Sequence, residues 1–194
     1  HDPAARSVEA AFELASGRPW QTIALADIAQ AARLPLAEVY RHYPSKTAIL
    51  GAFLRRVDAA VLARPPAADD TVRDRLFDLV MRRLDALRPH KAAMRSILGD
   101  LPKDPPAALC LGLQFLRAMA WMAEAAGVET SGLFGALKVK GLAAVYLYAL
   151  RTWMGDDSPD QGPTMGALDQ ALKRAEMLAR SLPGGRRGAT PETA

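Results

Sequence analysis

The chain has 194 residues, a formal net charge of +4 and a hydrophobic fraction of 50%. This balance excludes an intrinsically disordered chain and is sufficient for a sizeable core in one or two domains. Ala (38) and Leu (26) far outnumber Ile and Val (13 together), which favours helices over strands. The composition therefore predicts an all-α protein. The basic excess is spread along the chain, so charge alone gives only weak support for a nucleic-acid partner.

The sequence has one cysteine, Cys110, which excludes an intramolecular disulfide and a cysteine-based zinc site. Its leucine neighbours predict a small buried hydrophobe. The most apolar run, residues 106–127, is interrupted by Gln114, Arg117 and Glu124, so no stable membrane span is predicted. The beginning of the chain lacks the pattern of a secretory signal, and we expect a cytoplasmic protein.

Proline and glycine divide the chain into about nine helical segments. They are predicted at residues 3–15, 25–32, 36–43, 45–63, 72–87, 90–99, 106–126, 131–154 and 164–182. The stretch 64–70 contains two prolines and two aspartates and breaks the helical period, which predicts a hinge between a smaller N-terminal part (1–63) and a larger C-terminal part (64–182). The Gly- and Arg-containing residues 183–194 are predicted to be a disordered tail.

Residues 25–43 have the pattern of a helix-turn-helix unit. Two short helices are joined by the turn Arg33-Leu34-Pro35, and the side chains of Leu34 and Val39 can fill the space between them. The second helix of such a unit enters the major groove of DNA. The following helix opens with Ser45 as its N-cap and Lys46 in its first turn, an arrangement that suits a backbone phosphate.

The side chains predicted to contact DNA lie on the second helix and beside it, where they can reach phosphates or base edges. They are Thr22, Leu36, Ala37, Tyr40, Arg41, His42 and Lys46.

The residues around this unit resemble the TetR family of bacterial transcriptional regulators. The resemblance covers about residues 6–60 and rests on Asp27-Ile28-Ala29 and on the run Tyr40-Arg41-His42-Tyr43-Pro44-Ser45-Lys46. It implies a cytoplasmic homodimer in which residues 1–63 form the DNA-binding domain. The C-terminal helices would then form a ligand pocket and a dimer interface. The expected function is that of a ligand-responsive repressor with two recognition helices roughly 34–36 Å apart on an operator.

Two positions depart from the pattern of that family. Arg33 stands where the family usually has glycine, so its backbone must accept a strained or altered conformation. Glu38 stands where Thr or Ser is common. A carboxylate there repels phosphates, although it can accept a hydrogen bond from the amino group of cytosine.

The C-terminal part is rich in Met and aromatic residues at helical spacing. An ordinary core and an adaptable apolar ligand pocket are both consistent with this pattern. The candidate pocket residues are Met81, Met94, Phe115, Met119, Met122 and Tyr146.

Scattered segments of residues 71–182 also resemble the lipid-binding accessory family of ubiquinone biosynthesis. The matches include Thr71-Val72-Arg73-Asp74-Arg75-Leu76 and the run Asp156-Asp157-Ser158-Pro159-Asp160. That family shares the fold without binding DNA. It supplies the alternative function, an isoprenoid-binding accessory protein, and raises the expectation of an apolar or lipid ligand.

The last two predicted helices are the candidate dimer interface. Both faces of the first of them look able to pack, and a symmetry mate would complete an isologous four-helix contact. The residues assigned to it are Leu142, Val145, Leu168, Leu172, Ala175 and Ala179.

No catalytic constellation is found in the sequence. Histidines at positions 1, 42 and 90 have no metal-ligand spacing, and there is no Gly-rich phosphate loop or nucleophile elbow. We therefore predict no metal, no cofactor and no enzymatic activity.

Overall fold

The computed structural model describes residues 2–181, and within them the protein is all-α. The nine α-helices of this range are α1 (Pro3–Gly17), α2 (Leu25–Ala31), α3 (Leu36–His42), α4 (Lys46–Leu62), α5 (Val72–Leu87), α6 (Lys91–Asp100), α7 (Pro105–Ala125), α8 (Gly132–Gly155) and α9 (Gly162–Ser181). The predicted fold class is confirmed. The predicted tail, residues 183–194, and Leu182 lie outside the described residues.

The first helices begin at capping residues and pack through a small apolar core. The Asp2 carboxylate accepts a hydrogen bond from the Ala4 N–H (3.0 Å), and the Ser45 hydroxyl accepts one from the Ala48 N–H (3.1 Å). Helix α1 packs against α2, α3 and α4. Phe12 of α1 meets Phe53 of α4 with ring centroids 4.0 Å apart. This packing positions α2 and α3.

The described chain divides into two compact units that do not follow chain order. One unit contains residues 2–64 and 82–118, and the other contains residues 65–81 and 119–181. Helix α6, which contacts α1, therefore belongs with the N-terminal helices. The sequence predicted a division at residue 63, because a Pro-rich break is a local signal. The grouping of α6 depends on contacts between residues distant in sequence.

In the second unit, α8 and α9 pack against each other and are joined by residues 156–161. Four residues assigned to a dimer interface lie in the interior of the single chain: Leu142, Val145, Leu168 and Leu172. Ala175 and Ala179 are half-buried. The sequence assignment therefore took the face that closes the chain's own core. The opposite side of the pair carries exposed apolar side chains.

Helices α7 and α8 are long and apolar enough to cross a membrane by length and composition alone. Core helices of soluble proteins pass the same test. In this fold α8 packs against α9, and its largest buried side chains are Trp153 and Tyr146. Length and composition are therefore weak evidence for a membrane span.

Candidate nucleic-acid interface

The α2–α3 turn is held by the hydrogen bonds that close a helix with a left-handed residue. The Arg33 N–H donates to the Gln30 carbonyl (3.0 Å), and the Leu34 N–H donates to the Ala29 carbonyl (2.9 Å). These two bonds form a Schellman motif in which the residue after the cap is left-handed. Ile28 and Val39 are fully buried beneath the turn. The predicted helix-turn-helix unit is present.

Arg33 occupies the left-handed position, with φ of 53°. An L-residue in this conformation costs about 1–2 kcal/mol relative to glycine, which has no Cβ. The Arg6 guanidinium of α1 donates to the carbonyl oxygens of Ala32 and Arg33, the latter at 3.1 Å. We infer that these bonds and the Schellman pair offset the strain. The altered backbone expected at Arg33 is thus observed, while its supporting residue, Arg6, was missed by sequence reasoning.

Helix α3 buries one side and exposes the other. Leu36, Ala37, Tyr40 and Arg41 are exposed, and their spacing places them on one face. Leu36 is 50% exposed and Tyr40 is 66% exposed, whereas Val39 is fully buried. This face offers apolar surface at its beginning, followed by a phenol and a guanidinium.

The Glu38 carboxylate contacts two side chains of its own helix, Arg41 and His42. The Oε2 atom of Glu38 forms an ion pair with Arg41, and the Oε1 atom of Glu38 lies 3.3 Å from His42 Nε2. The Glu38 side chain is only 21% exposed, which is less than either partner. The carboxylate therefore orients Arg41 and His42 and offsets positive charge on α3.

Lys46 lies in the first turn of α4, as predicted, but its ammonium contacts the protein. The Nζ atom donates to the Trp20 carbonyl (2.8 Å) and lies 4.9 Å from the centroid of the Trp20 ring. Burial lowers the pKa of Lys46, while the carboxylates of Asp104, Asp100 and Asp27 act in the opposite direction. A phosphate would have to compete with Trp20 for this ammonium.

Helix α6 fixes the loop that precedes α2. The Ser96 hydroxyl accepts from the Trp20 N–H (3.0 Å) and donates to the Arg18 carbonyl (3.1 Å). The Asp100 carboxylate accepts from the Gln21 N–H (3.0 Å). Hydrogen bonds from Lys103 and then from Gln21 lower the pKa of Asp100. Sequence reasoning did not find these residues, because they lie more than 70 positions from the loop and no local pattern connects them.

Two further residues flank the helix-turn-helix unit in the sequence, since Thr22 precedes α2 and Tyr43 follows α3. Thr22 is exposed, and its hydroxyl donates to the Pro19 carbonyl (2.8 Å). Tyr43 is half-buried, and its hydroxyl donates to the Ala4 carbonyl (3.3 Å). Burial raises the pKa of Tyr43. Of the predicted DNA-contacting residues, four therefore share the exposed face of α3: Leu36, Ala37, Tyr40 and Arg41.

The six candidate pocket residues are divided between the two units. Met94 and Phe115 belong to the first unit, and Met81, Met119, Met122 and Tyr146 belong to the second. All six are buried or half-buried.

A groove of about 610 Å³ lies in the first unit, and none of these six residues lines it. It runs between the α3–α4 turn and α7, and Arg55 and Gln114 contribute to its wall. Cys110 also lines it and is exposed, so the expectation of a buried thiol was wrong.

The family model for "Bacterial regulatory proteins, tetR family" matches residues 8–53. A TetR transcriptional regulator from Nitrosomonas europaea ATCC 19718 has a similar structure, with a TM-score of 0.75 and 24% identity over 91% of this chain and 99% of that one. A TetR transcriptional regulator from Rhodococcus sp. RHA1 has a TM-score of 0.67 and 17% identity, over 89% of this chain and 94% of that one. The structure of the "Dihydroxyacetone kinase operon activator DhaS" has a TM-score of 0.57 and 12% identity, over 91% of this chain and 95% of that one. No curated protein sequence matches significantly. At these identities the structural likenesses establish the fold.

Proposed function

The chain belongs to the TetR family of bacterial transcriptional regulators, and from this we propose that it is a homodimeric, ligand-responsive repressor. As a member of that family it is a soluble DNA-binding regulator and not an enzyme. The family assignment favours DNA binding over the lipid-binding alternative. A cytoplasmic location follows from the same proposal, because the operator DNA is there.

The exposed face of α3 is the observation that carries the proposal. Leu36, Ala37, Tyr40 and Arg41 project from it, and the buried Val39 fixes its orientation. A helix held in this way presents one face to the major groove. His42 and Thr22 are the proposed neighbours of the phosphates. The ammonium of Lys46 is held by Trp20, and we propose that it supports the loop before α2.

Dimerisation is proposed through the exposed side of α8 and α9. Leu133, Leu147, Tyr148, Met177 and Leu178 are large apolar side chains that a single chain leaves exposed. Apolar surface of this kind on two adjacent helices is typical of a protein interface. Two such pairs related by a two-fold axis form a four-helix contact.

For the effector we propose an apolar small molecule or lipid held in the second unit. Met119, Met122 and Tyr146 are almost completely buried there, and Met81 is half-buried. Methionine side chains adapt to ligands of different shape. The ligand would release DNA by favouring a dimer whose recognition helices no longer match one helical turn.

The decisive experiment is selection from random duplex DNA with the purified protein, followed by mobility shifts at several salt concentrations. We expect one enriched sequence with two-fold symmetry, bound by a dimer with salt-dependent affinity. Tyr40→Ala and Arg41→Ala should each weaken binding about tenfold or more. The matched controls are Trp121→Ala and Arg117→Ala, because both side chains are exposed on α7. Failure to enrich any duplex would refute the proposal.

Transcription in vitro from a promoter overlapping the selected site tests the direction of regulation. Repression requires that the bound dimer lowers transcript yield. An increase in transcript would make the protein an activator and overturn this part of the proposal.

A further inference from the structure

We propose that α3 selects its operator by apolar contact of Leu36 and Ala37 with the methyl groups of thymine. The inference rests on the proposed DNA binding and adds which bases the helix prefers. It depends on three properties of the exposed face: its apolar beginning, the pairing of Glu38, and the absence of side-chain hydrogen-bonding groups from Leu36 and Ala37.

The first observation is the exposure of apolar surface on a short helix. Leu36 is 50% exposed and Ala37 next to it is exposed. Single exposed leucines are common on protein surfaces and carry little information by themselves. Leu36 is informative because it shares its face with Tyr40 and Arg41 on the helix that inserts into the groove.

The second observation concerns Glu38, the first polar residue of α3. Its half-buried carboxylate is paired with Arg41 and lies 3.3 Å from His42. A carboxylate directed at a base edge would select cytosine by accepting from its amino group. Because both oxygens of Glu38 contact side chains of the same helix, Arg41 and His42, Glu38 acts as a positioning residue, and the choice of base falls to its neighbours.

The chemistry of the groove then points to one base. Only thymine presents a methyl group in the major groove, whereas the edges of adenine, guanine and cytosine are dominated by hydrogen-bond donors and acceptors. The side chains of Leu36 and Ala37 have neither donors nor acceptors. Thymine is therefore the base whose edge complements them, and the other bases would lose hydrogen bonds to water on contact.

Replacement of thymine by uracil tests this directly, because uracil lacks the methyl group and keeps the same hydrogen-bonding groups. The best duplex from the selection is resynthesised with uracil at one thymine of each half-site at a time. At the contacted positions we expect binding to weaken about fourfold for each methyl group removed. At the other thymines the dissociation constant should not change.

The variant Leu36→Ala tests whether the Leu36 side chain causes the loss of affinity when thymine is replaced by uracil. It should weaken binding to the thymine duplex and bring the thymine-to-uracil ratio of affinities close to one. Leu109→Ala is the matched control, because Leu109 is 66% exposed on α7, and it should keep the wild-type ratio. Both substitutions are at exposed positions, and thermal melting verifies that each variant folds.

Equal affinity of the wild type for thymine and uracil duplexes at every position would overturn the inference while leaving the DNA-binding proposal intact. So would a Leu36→Ala variant that keeps the wild-type ratio. A wild-type protein that binds no duplex overturns the DNA-binding proposal and this inference together.

Discussion

Lys46 is a residue whose position and role are determined at different levels. Its place in the first turn of α4 follows from the sequence, because Ser45 caps that helix. The contacts of its ammonium do not follow from the local sequence, because Trp20 lies 26 positions earlier. Trp20 supplies both the carbonyl oxygen and the aromatic ring that the ammonium contacts. A hydrogen bond and a cation–π contact together give the ammonium a structural role in holding the loop before α2.

We predict that Lys46→Met lowers the free energy of unfolding by about 1–2 kcal/mol, since both contacts to Trp20 are lost. Urea denaturation of the wild type and the variant measures this. The slope of log affinity against log salt concentration should stay unchanged, because the ammonium is bound to protein. If the slope falls by about one with stability intact, Lys46 instead contacts a phosphate.

At the scale of elements, the connection between α8 and α9 is organised by Asp156. One oxygen of its carboxylate accepts from the Ser158 N–H (3.1 Å), and the other accepts from the Thr164 N–H (3.0 Å) in the first turn of α9. The hydroxyl groups of Ser158 and Thr164 also donate hydrogen bonds to the Asp156 carboxylate. These bonds cap α9 and fix its direction relative to α8. Hydrogen bonds from Ser158 and then Thr164 hold the pKa of Asp156 far below its ordinary value.

We predict that Asp156→Asn lowers the free energy of unfolding at about pH 7 by roughly 1–2 kcal/mol, because the charge-assisted bonds are weakened. The folded-state pKa of Asp156 lies below the unfolded value of 3.8. The contribution of the ionised Asp156 carboxylate to the free energy of unfolding is therefore fully present above pH 3.8 and is lost as the pH falls below this value.

The difference in unfolding free energy between wild type and Asp156→Asn should consequently narrow between about pH 7 and about pH 3. Urea titrations at the two values measure it. Asp69→Asn is the control, since Asp69 is exposed in the stretch between α4 and α5 and should match the wild type at both pH values. A difference that stays constant with pH would contradict this account of Asp156.

At the scale of the whole molecule, the two faces of the α8–α9 pair differ in exposure, and the exposed face is the proposed dimer interface. Leu172 is 4% exposed and closes the core of its own chain, whereas Leu178 is 68% exposed on the same helix. A charge at each position therefore tests a different property. Buried charge disrupts folding, and charge on the exposed face disrupts association.

We predict that Leu178→Glu yields a folded monomer at micromolar concentration, while Leu172→Glu loses helical structure. Sedimentation velocity reports the oligomeric state and circular dichroism reports the fold. Leu109→Glu, a substitution at an exposed position of α7, should stay dimeric and folded. A Leu178→Glu variant that sediments as a wild-type dimer would place the interface elsewhere.

The sequence by itself determined the local structure of this protein. Helix type follows from Ala and Leu content, helix ends follow from Pro, Gly and capping residues, and the helix-turn-helix unit follows from residues adjacent in the chain. A strained or altered backbone at Arg33 was expected from the resemblance to a family that usually has glycine there, and the structure has φ of 53° at this residue. All of these depend on interactions over a few residues, which a single sequence displays.

Only the tertiary structure decided which surfaces meet. Helix α8 has apolar residues on more than one side, so periodicity did not indicate which of them are buried. In the structure Leu142 is buried, whereas Leu147 is exposed. The partners of Lys46 and Arg33, and the grouping of α6 with α1, likewise join residues far apart in the chain. The physical reason is that burial free energy depends on the area removed from water, which is fixed only when the elements pack.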